Sequence, residues 1–264
     1  MYIDFPNISP IAFSIGGFGL RWYALAYLTG IISAWFLTKK NIKKYNINIS
    51  DAQLDDLVFY TTLGIILGGR LGYVFCYGNG YFLRNPLEIL AIWHGGMSFH
   101  GGIVGVILGL LYFSYIYKFP FLMITDLVAL YTPIGIFLGR IANFINGELW
   151  GRVTNVPWAV KFPDGGYLPR HPSQLYEAMS EGCLMLIVLT YLWQKPFIRQ
   201  HHGIISSVFL IIYTLSRMCM ELFREPDAQI GFIFGNFTMG QLLSLPFLLL
   251  GLYILNNTVK KSQH

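Results

Sequence analysis

Charged residues are scarce in this chain of 264 residues. Lys, Arg, Asp and Glu together make up only 12% of it, which is roughly half their usual share. A soluble globular protein of this length needs more ionised side chains to cover its surface, so this class of protein is excluded. Hydrophobic residues make up 55% and aromatic residues 17%, and the mean hydropathy is +0.53. The composition therefore predicts a chain that folds mainly in lipid.

Cysteine is also rare. Cys76, Cys183 and Cys219 all lie inside apolar runs without CxxC spacing, so we expect neither a disulfide framework nor a metal site. The net charge of +5 would suit nucleic acid, but the lysines lie between apolar runs and form no basic patch interleaved with aromatic residues. The sequence has no Walker loop and no dinucleotide-binding fingerprint. We therefore expect no nucleic-acid partner and no cofactor.

Seven apolar runs are long enough to cross a bilayer. A transmembrane helix needs roughly 20 apolar residues, and each run is bounded by charged or turn-forming residues. We therefore predict an all-α, polytopic membrane protein with about seven transmembrane helices, folded as a single domain over residues 1–264. The predicted spans are 19–37, 57–77, 97–117, 124–143, 174–193, 203–223 and 237–255.

Basic residues between the runs predict the orientation of the chain. Nine lie on one side of the spans and five on the other, and the positive-inside rule assigns the richer side to the cytoplasm. The amino terminus and the longest loop, about 144–173, are then outside, and the carboxyl terminus is cytoplasmic. Residues 1–10 lack the basic region of a signal peptide, so we expect the first run to remain as a span. The nine residues are Lys39, Lys40, Lys43, Lys44, Lys118, Lys195, Arg199, Lys260 and Lys261, and the five are Arg84, Arg152, Lys161, Arg170 and Arg224.

Three arginines lie inside predicted spans that run outward. A charge at mid-membrane costs about 2.5–3.5 kcal/mol on insertion scales, so each is by default a functional candidate. Arg70, Arg140 and Arg217 are each the fourteenth residue of a helix whose start we assign at residue 57, 127 or 204. At a rise of about 1.5 Å per residue, all three lie about 20 Å into a core about 30 Å thick. We therefore expect three guanidinium groups in one outer layer.

The spans that run inward begin with polar residues in the same layer. A single polar chamber near the outer face is the predicted result. Because arginine presents a planar fork matched to phosphate, we interpret the chamber as a receptor for the headgroup of an anionic phospholipid. The polar residues are Arg21, Tyr23, His100, Gln174 and Glu177.

Other interpretations of these charges stay open. Any one arginine would also be explained by a salt bridge between helices or by snorkelling to the headgroups. Tyr213, Arg217 and Glu221 are spaced four residues apart on one helical face, so a pair between Arg217 and Glu221 would neutralise that arginine. The candidate anions near the layer are Glu148, Glu177, Glu181 and Glu221.

Glycines surround two of the polar positions. Small residues let membrane helices approach closely, so we expect the second and third spans to pack tightly. These glycines are Gly68, Gly69 and Gly72 around Arg70, and Gly101, Gly102 and Gly105 after His100.

The stretch GRIANFINGELWGR, residues 139–152, resembles the signature of the bacterial prolipoprotein diacylglyceryl transferases. Further matches follow in family order and cover nearly the whole chain. The resemblance implies transfer of a diacylglyceryl group from phosphatidylglycerol to the thiol of the lipobox cysteine in a prolipoprotein signal peptide, with release of glycerol phosphate. It also implies the bacterial inner membrane and a periplasmic active site. The further matches are LRWYALAY at 20–27, GGRLGY at 68–73, GGMSFHGG at 95–102, RHPSQLYE at 170–177 and RMCMELFREPD at 217–227.

The resemblance also implies roles for individual residues. Arg140 is similar to the essential lipid-binding arginine of the family, Arg217 to the second essential arginine and His100 to a histidine proposed as a base. Arg21 departs from the pattern, because some relatives have His there. We therefore predict Arg140, Arg217 and His100 as catalytic, and Arg140, Tyr23, Arg70, Asn143, Asn146, Glu148, Gly151, Glu177, Tyr213 and Glu221 as substrate-binding.

The chemistry that the resemblance implies also fits the residue types. A thiol that attacks a glycerol carbon must lose its proton, and the displaced phosphate must be stabilised. Arg140 and Arg217 would hold the phosphate, and His100 would take the proton. Two alternatives for the proton stay open: His100 bonds to backbone carbonyls at a helix start, or the arginines themselves favour the thiolate.

Two other functions compete with this interpretation. Intramembrane Arg, Glu and His also build proton-coupled transporters, although no inverted repeat is visible here and the polar groups crowd one leaflet. An intramembrane protease would need Ser98 and His100 as a dyad. Those two residues are two apart at a helix start, so their side chains diverge.

Overall fold

The computed structural model describes residues 2–6, 8–78, 80–225, 232–233 and 237–262, and most of these residues are helical. The longer helices are α1 (Trp22–Tyr45), α2 (Asp51–Tyr77), α4 (Phe99–Tyr117), α5 (Phe121–Ile145), α9 (Ile204–Met220) and α10 (Met239–Lys261). The shorter elements are α3 (Tyr81–Arg84), the 3₁₀ turns Pro86–Leu90 and Ile92–His94, α6 (Ser173–Glu177), the π-helical segment Ala178–Leu184, α7 (Met185–Trp193) and α8 (Pro196–Gln200).

Five helices in the described part of the chain are long and apolar enough to cross a membrane. The chain is therefore a helical membrane protein by length and composition. Helix α9 is apolar but shorter than these five, and α1 is not among them either. The count of seven spans and the orientation stay predictions. The five are Asp51–Tyr77, Phe99–Tyr117, Phe121–Ile145, Ser173–Trp193 and Gly240–Lys261.

Six short strands lie among the described residues, so the fold is mostly helical rather than purely helical. The hairpin of β2 and β3 turns through Gly16 and Gly17, whose φ angles of 56° and 83° suit a two-residue hairpin turn. The predicted first span therefore starts too early: Arg21 ends β3, and α1 begins at Trp22. The strands are β1 (Ile3–Asp4), β2 (Ile11–Ile15), β3 (Phe18–Arg21), β4 (Val160–Lys161), β5 (Phe232–Ile233) and β6 (Phe237–Thr238), and the pairs are β1 with β4 (parallel), β2 with β3 and β5 with β6 (both antiparallel).

Most helices extend beyond the apolar runs that predict them. Helix α2 begins six residues before the predicted start at residue 57, because Ser50 and Gln53 form a capping box there. Thr238 and Gln241 form a second capping box at the start of α10. Polar first and last turns thus add residues that a hydropathy pattern does not count.

The contacts of the chain divide it into two compact units. One contains residues 1–34 and 126–264, and the other contains residues 35–125. We describe each unit by itself, and the single catalytic domain over residues 1–264 stays a prediction.

In the unit of residues 35–125, glycines let α2 and α4 pack almost backbone to backbone. A Cβ atom on Gly105 would overlap the carbonyl oxygen of Gly64, and one on Gly72 would lie 2.7 Å from the Cα of Gly101. The predicted close packing of these two helices is confirmed. Ser98 caps α4, since its Oγ accepts a hydrogen bond from the Gly101 N–H at 3.2 Å.

In the other unit, the loop after α5 is more ordered than its turn-rich composition suggests. Residues Val160 and Arg170 exchange two backbone hydrogen bonds of 2.9 Å. The Arg170 side chain also donates to the carbonyl of Gly165 at 2.6 Å and lies 4.2 Å from the centre of the Trp150 ring. The loop therefore gives fixed support to the signature residues at its start.

Candidate active site

Arg140, near the end of α5, is held by two buried carboxylates. Its Nη1 lies 2.8 Å from Oε2 of Glu177, and its Nη2 lies 2.9 Å from Oε2 of Glu181. Its Nε also donates to the same Glu181 oxygen at 3.2 Å. The planar fork of the guanidinium group is thus oriented by both glutamates, which are 1% and 0% exposed.

Arg217 on α9 shares one of these glutamates. Its Nη1 lies 3.0 Å from Oε1 of Glu177, and its Nη2 lies 3.2 Å from Oε2 of Glu221. The predicted pair of Arg217 and Glu221 is confirmed. Because Glu177 offers one oxygen to each arginine, it brings the two guanidinium groups together. We refer to these two arginines with Glu177, Glu181 and Glu221 as the Arg–Glu cluster.

A local irregularity in the fifth span brings both glutamates to Arg140. Glu177 ends α6, and Glu181 lies in the π-helical segment Ala178–Leu184. Gly182 lets this segment approach α5, since a Cβ atom there would lie 2.6 Å from the Cβ of Phe137. Phe137 is less than one turn before Arg140 on α5. The close approach of the π-helical segment to α5 therefore sets the distance between the two glutamate carboxylates and the Arg140 guanidinium.

The signature residues after Arg140 form a second polar group. Nδ2 of Asn143 donates to Oε1 of Glu148 at 2.8 Å, and Nδ2 of Asn146 donates to the same oxygen at 3.2 Å. Asn146 Oδ1 is buried and has no hydrogen-bond partner among the described residues. The group therefore retains an unused acceptor.

The backbone after Glu148 is held in an uncommon conformation. Leu149 has a φ of +58°, a region that a non-glycine residue rarely adopts. Ser173 Oγ donates to the Leu149 carbonyl at 2.9 Å, and the Gln174 side-chain amide donates to the Glu148 carbonyl. Helix α6 thus fixes the signature loop with its first two residues, while its last residue, Glu177, orients the arginines.

Gly151, near the end of the signature stretch, packs closely against the backbone near His171 and Phe223. Its N–H donates to the His171 carbonyl at 2.9 Å, and a Cβ atom there would lie 2.5 Å from the Phe223 carbonyl oxygen and 2.7 Å from the Cβ of His171. Any side chain at this position would push the loop away. His171 lies outside the candidate spans, and desolvation lowers the pKa of its imidazole.

Two tyrosines of the predicted site lie in the same unit. Tyr23 is in the first turn of α1, with its ring centre 5.2 Å from that of Tyr27. Tyr213 lies one turn before Arg217 and stacks on Phe209 at 6.0 Å. Both stay predictions as substrate-binding residues.

Arg70 and His100 lie in the other unit, so their predicted place in one chamber with Arg140 and Arg217 is untested. Arg70 is only 5% exposed. Its Nε donates to the Ile89 carbonyl at 2.9 Å, its Nη1 to the Gly95 and Gly96 carbonyls, and its Nη2 to the Glu88 carbonyl. These bonds hold the segment of residues 86–96, which the sequence did not indicate. His100 is the second residue of α4 and is exposed.

Glu181 is the main residue of the cluster that the predicted site omits. The sequence marks it only as a candidate anion, although it lies four residues after Glu177 on the same predicted span. Pro226 and Asp227, which end the last family match, lie outside the described residues. Within the described ranges, no three His, Cys, Asp or Glu side chains come together as a metal-binding group.

The comparisons with known proteins identify the class and then the family. A family model described as prolipoprotein diacylglyceryl transferase matches residues 10–256, and a chain of this kind is a transferase. Three relatives carry the name "phosphatidylglycerol--prolipoprotein diacylglyceryl transferase". That of Rickettsia felis is 50% identical over 253 residues, 96% of this chain and 98% of its own. That of Rhodospirillum rubrum is 52% identical over 254 residues (96% and 93%), and that of Rickettsia bellii is 50% identical over 260 residues (98% and 99%). The chain belongs to the prolipoprotein diacylglyceryl transferase family, and the resemblance of its motifs is confirmed.

Proposed function

We propose that this protein transfers the diacylglyceryl group of phosphatidylglycerol to the thiol of the lipobox cysteine in a prolipoprotein signal peptide. The observation that carries the proposal is the pair of guanidinium groups on Arg140 and Arg217, held side by side by the buried carboxylate of Glu177. Two adjacent guanidinium groups suit a phosphodiester, which offers oxygens to both. The protein would act in the bacterial inner membrane, with its site toward the periplasm.

The reaction exchanges one bond to a glycerol carbon for another. The cysteine thiol loses its proton, and the sulfur forms a bond to the terminal glycerol carbon of the diacylglyceryl group. The bond between that carbon and the phosphate oxygen breaks, and glycerol phosphate leaves with the electron pair. Arg140 and Arg217 stabilise the charge on the leaving phosphate, which contributes most in a site shielded from water.

The charges of the Arg–Glu cluster constrain how the lipid binds. Three carboxylates face two guanidinium groups, so a phosphodiester adds a further negative charge. We infer that the phosphate oxygens take over donors that Glu181 and Glu221 hold in this structure. Glu177 keeps its place, because its two oxygens contact one arginine each. The carboxylates thus orient the two forks before the lipid arrives.

The polar group beside the cluster supports recognition of the headgroup glycerol. Asn146 Oδ1 is a buried acceptor that lacks a partner among the described residues, and the headgroup of phosphatidylglycerol carries hydroxyl donors. Glu148 accepts a hydrogen bond from the Asn146 side chain and is itself held by Asn143. His100 stays the proposed acceptor of the thiol proton.

The direct test combines purified protein, phosphatidylglycerol and a synthetic lipobox peptide, followed by mass spectrometry of the peptide. The expected product is heavier by one diacylglyceryl group. Phosphatidylethanolamine serves as the control donor and should react poorly, because its headgroup carries no net negative charge for the arginines. An unmodified peptide would contradict the proposal and leave a transporter, and a shorter peptide would indicate a protease.

A further inference from the structure

Asp126 is a buried carboxylate far along α5 from Arg140. It is 1% exposed. Its Oδ2 accepts a hydrogen bond from the Gly203 N–H at 2.7 Å, and its Oδ1 accepts from the N–H and the Oγ–H of Ser206, both at 2.7 Å. Gly203 precedes α9 and has no side chain with which to cap it. Asp126 therefore caps the first turn of α9 from another helix.

The position of this contact matches the position of the two arginines. Arg140 is fourteen residues beyond Asp126 on α5, and Arg217 is fourteen residues beyond Gly203 at the start of α9. At a rise of about 1.5 Å per residue, each arginine lies about 21 Å from the contact. At that level Glu177 contacts both arginines. Side chains thus connect α5 and α9 at two places, at Asp126 and at Glu177. The number of residues between these two contacts is the same on both helices.

Because the spacing is equal on both helices, the axial register of α9 on α5 determines whether Arg217 lies beside Arg140. If α9 slid along its axis, Arg217 would move by the same distance relative to Arg140, because a helix is stiff over four turns. The carboxylate of Asp126 resists such a slide, since it loses three hydrogen bonds and stays buried without partners. A displacement of about 1 Å at a reacting centre is enough to lower turnover by about a hundredfold.

We propose that Asp126 is a positioning residue, which fixes the axial register of α9 on α5 and thereby places Arg217 beside Arg140. It does not touch the substrate and acts through Arg217. This inference rests on the proposed function, because it assumes that the two arginines bind one phosphodiester.

The test is a double-mutant cycle on turnover, measured with phosphatidylglycerol and a lipobox peptide and normalised to the folded fraction. Asp126→Ala should lower kcat by about tenfold or more in the presence of Arg217. In the Arg217→Lys background, the same change should lower kcat by less than about twofold, because a flexible lysine no longer depends on a fixed fork. A merely structural role would give the same loss in both backgrounds, which would overturn the proposal.

Two further variants keep the test decisive. Ser206→Ala removes only the hydroxyl donor and leaves both backbone bonds to Asp126; it should give a smaller loss with the same dependence on Arg217, and it replaces Asp126→Ala in the cycle if that variant does not fold. Asp56→Asn is the matched control, because Asp56 is also a carboxylate that accepts a side-chain hydrogen bond, from Tyr117, and it lies in the other unit. Its turnover should equal that of wild type, and a loss as large as that of Asp126→Ala would count against the proposal.

A second measurement tests the contact of Asp126 with the start of α9 and does not depend on an activity assay. Amide hydrogen exchange at residues 203–207 should be faster in Asp126→Ala than in wild type and unchanged in Asp56→Asn. Unchanged exchange in Asp126→Ala would overturn the proposal. If wild-type protein transfers no lipid, the proposed function fails; if it transfers lipid and the cycle is additive, only the role of Asp126 fails.

Discussion

At the scale of single residues, the planar shape of arginine matters as much as its charge. Arg140 uses three nitrogens on two carboxylates that lie on different turns of one helix. A lysine would keep the positive charge but has a single ammonium group on a flexible stem, so it cannot hold both carboxylates and a phosphate in one plane.

We therefore expect Arg140→Lys to lose nearly as much activity as Arg140→Ala, with kcat/KM lower by about a hundredfold or more. The measurement is transfer of labelled lipid to a lipobox peptide. Arg84→Lys is the control, because Arg84 is exposed at the end of α3 and should tolerate the change. Full activity of Arg140→Lys would mean that charge alone suffices.

His100 leads to a different prediction, because its proposed task is to accept a proton. His100→Gln should leave lipid binding unchanged and lower kcat. Raising the pH should recover part of this loss, because a free thiol with a pKa of about 8.5 then ionises without help. The measurement compares turnover of wild type and His100→Gln from about pH 6 to pH 9 on one peptide. A constant ratio over this range would make His100 structural.

At the scale of elements, the π-helical segment links packing to the site. Gly182 follows Glu181 directly in this segment, and α7 begins just after the segment ends at Leu184. Because a Cβ atom at Gly182 would lie 2.6 Å from the Cβ and 2.9 Å from the Cα of Phe137, Gly182→Ala must move the segment away from α5. Glu181 would then lose its position on Arg140.

We expect Gly182→Ala to lower kcat/KM by about tenfold or more and to lower the melting temperature. Gly135→Ala is the matched control, because a Cβ atom at Gly135 on α5 meets nothing within 4 Å. An alanine there should preserve activity and stabilise the helix by about 0.5–1 kcal/mol. If Gly182→Ala were as active as Gly135→Ala, the segment would not set the site.

The elements also show what a sequence pattern can predict here. Each of the seven apolar runs begins within six residues of the start of a helix, and a spacing of four residues predicts the pair of Arg217 and Glu221. Hydropathy does not predict the hairpin before α1, because an apolar strand and the start of an apolar helix have similar hydropathy. The Gly16–Gly17 pair is the sequence signal for its turn. Hydropathy does not predict the π-helical segment either, since composition does not show whether the backbone hydrogen bonds join residues four or five apart.

At the scale of the whole molecule, partners distant in sequence are the least predictable. The place of Arg70 in a lipid receptor stays a prediction, and its hydrogen bonds to backbone carbonyls 18 to 26 residues away were not predicted from the sequence. Asp126 and Ser206 meet across 80 residues. Such contacts depend on how the helices pack, which a single hydropathy profile does not encode. The family motifs, by contrast, identify the family to which the chain belongs.

The orientation of the chain is the last prediction, and it rests on the excess of basic residues on one side of the spans. We expect the loop of residues 144–173 to face the periplasm and the carboxyl terminus to face the cytoplasm; His264, which ends the chain, lies outside the described residues. Single cysteines at the exposed positions Asp164 and Lys261 test this in a variant that lacks Cys76, Cys183 and Cys219. In intact cells, an impermeant thiol reagent should label the cysteine at position 164 and reach the one at position 261 only after lysis. The opposite pattern would place the Arg–Glu cluster toward the cytoplasm, where a signal peptide emerging on the outer side of the membrane could not reach it.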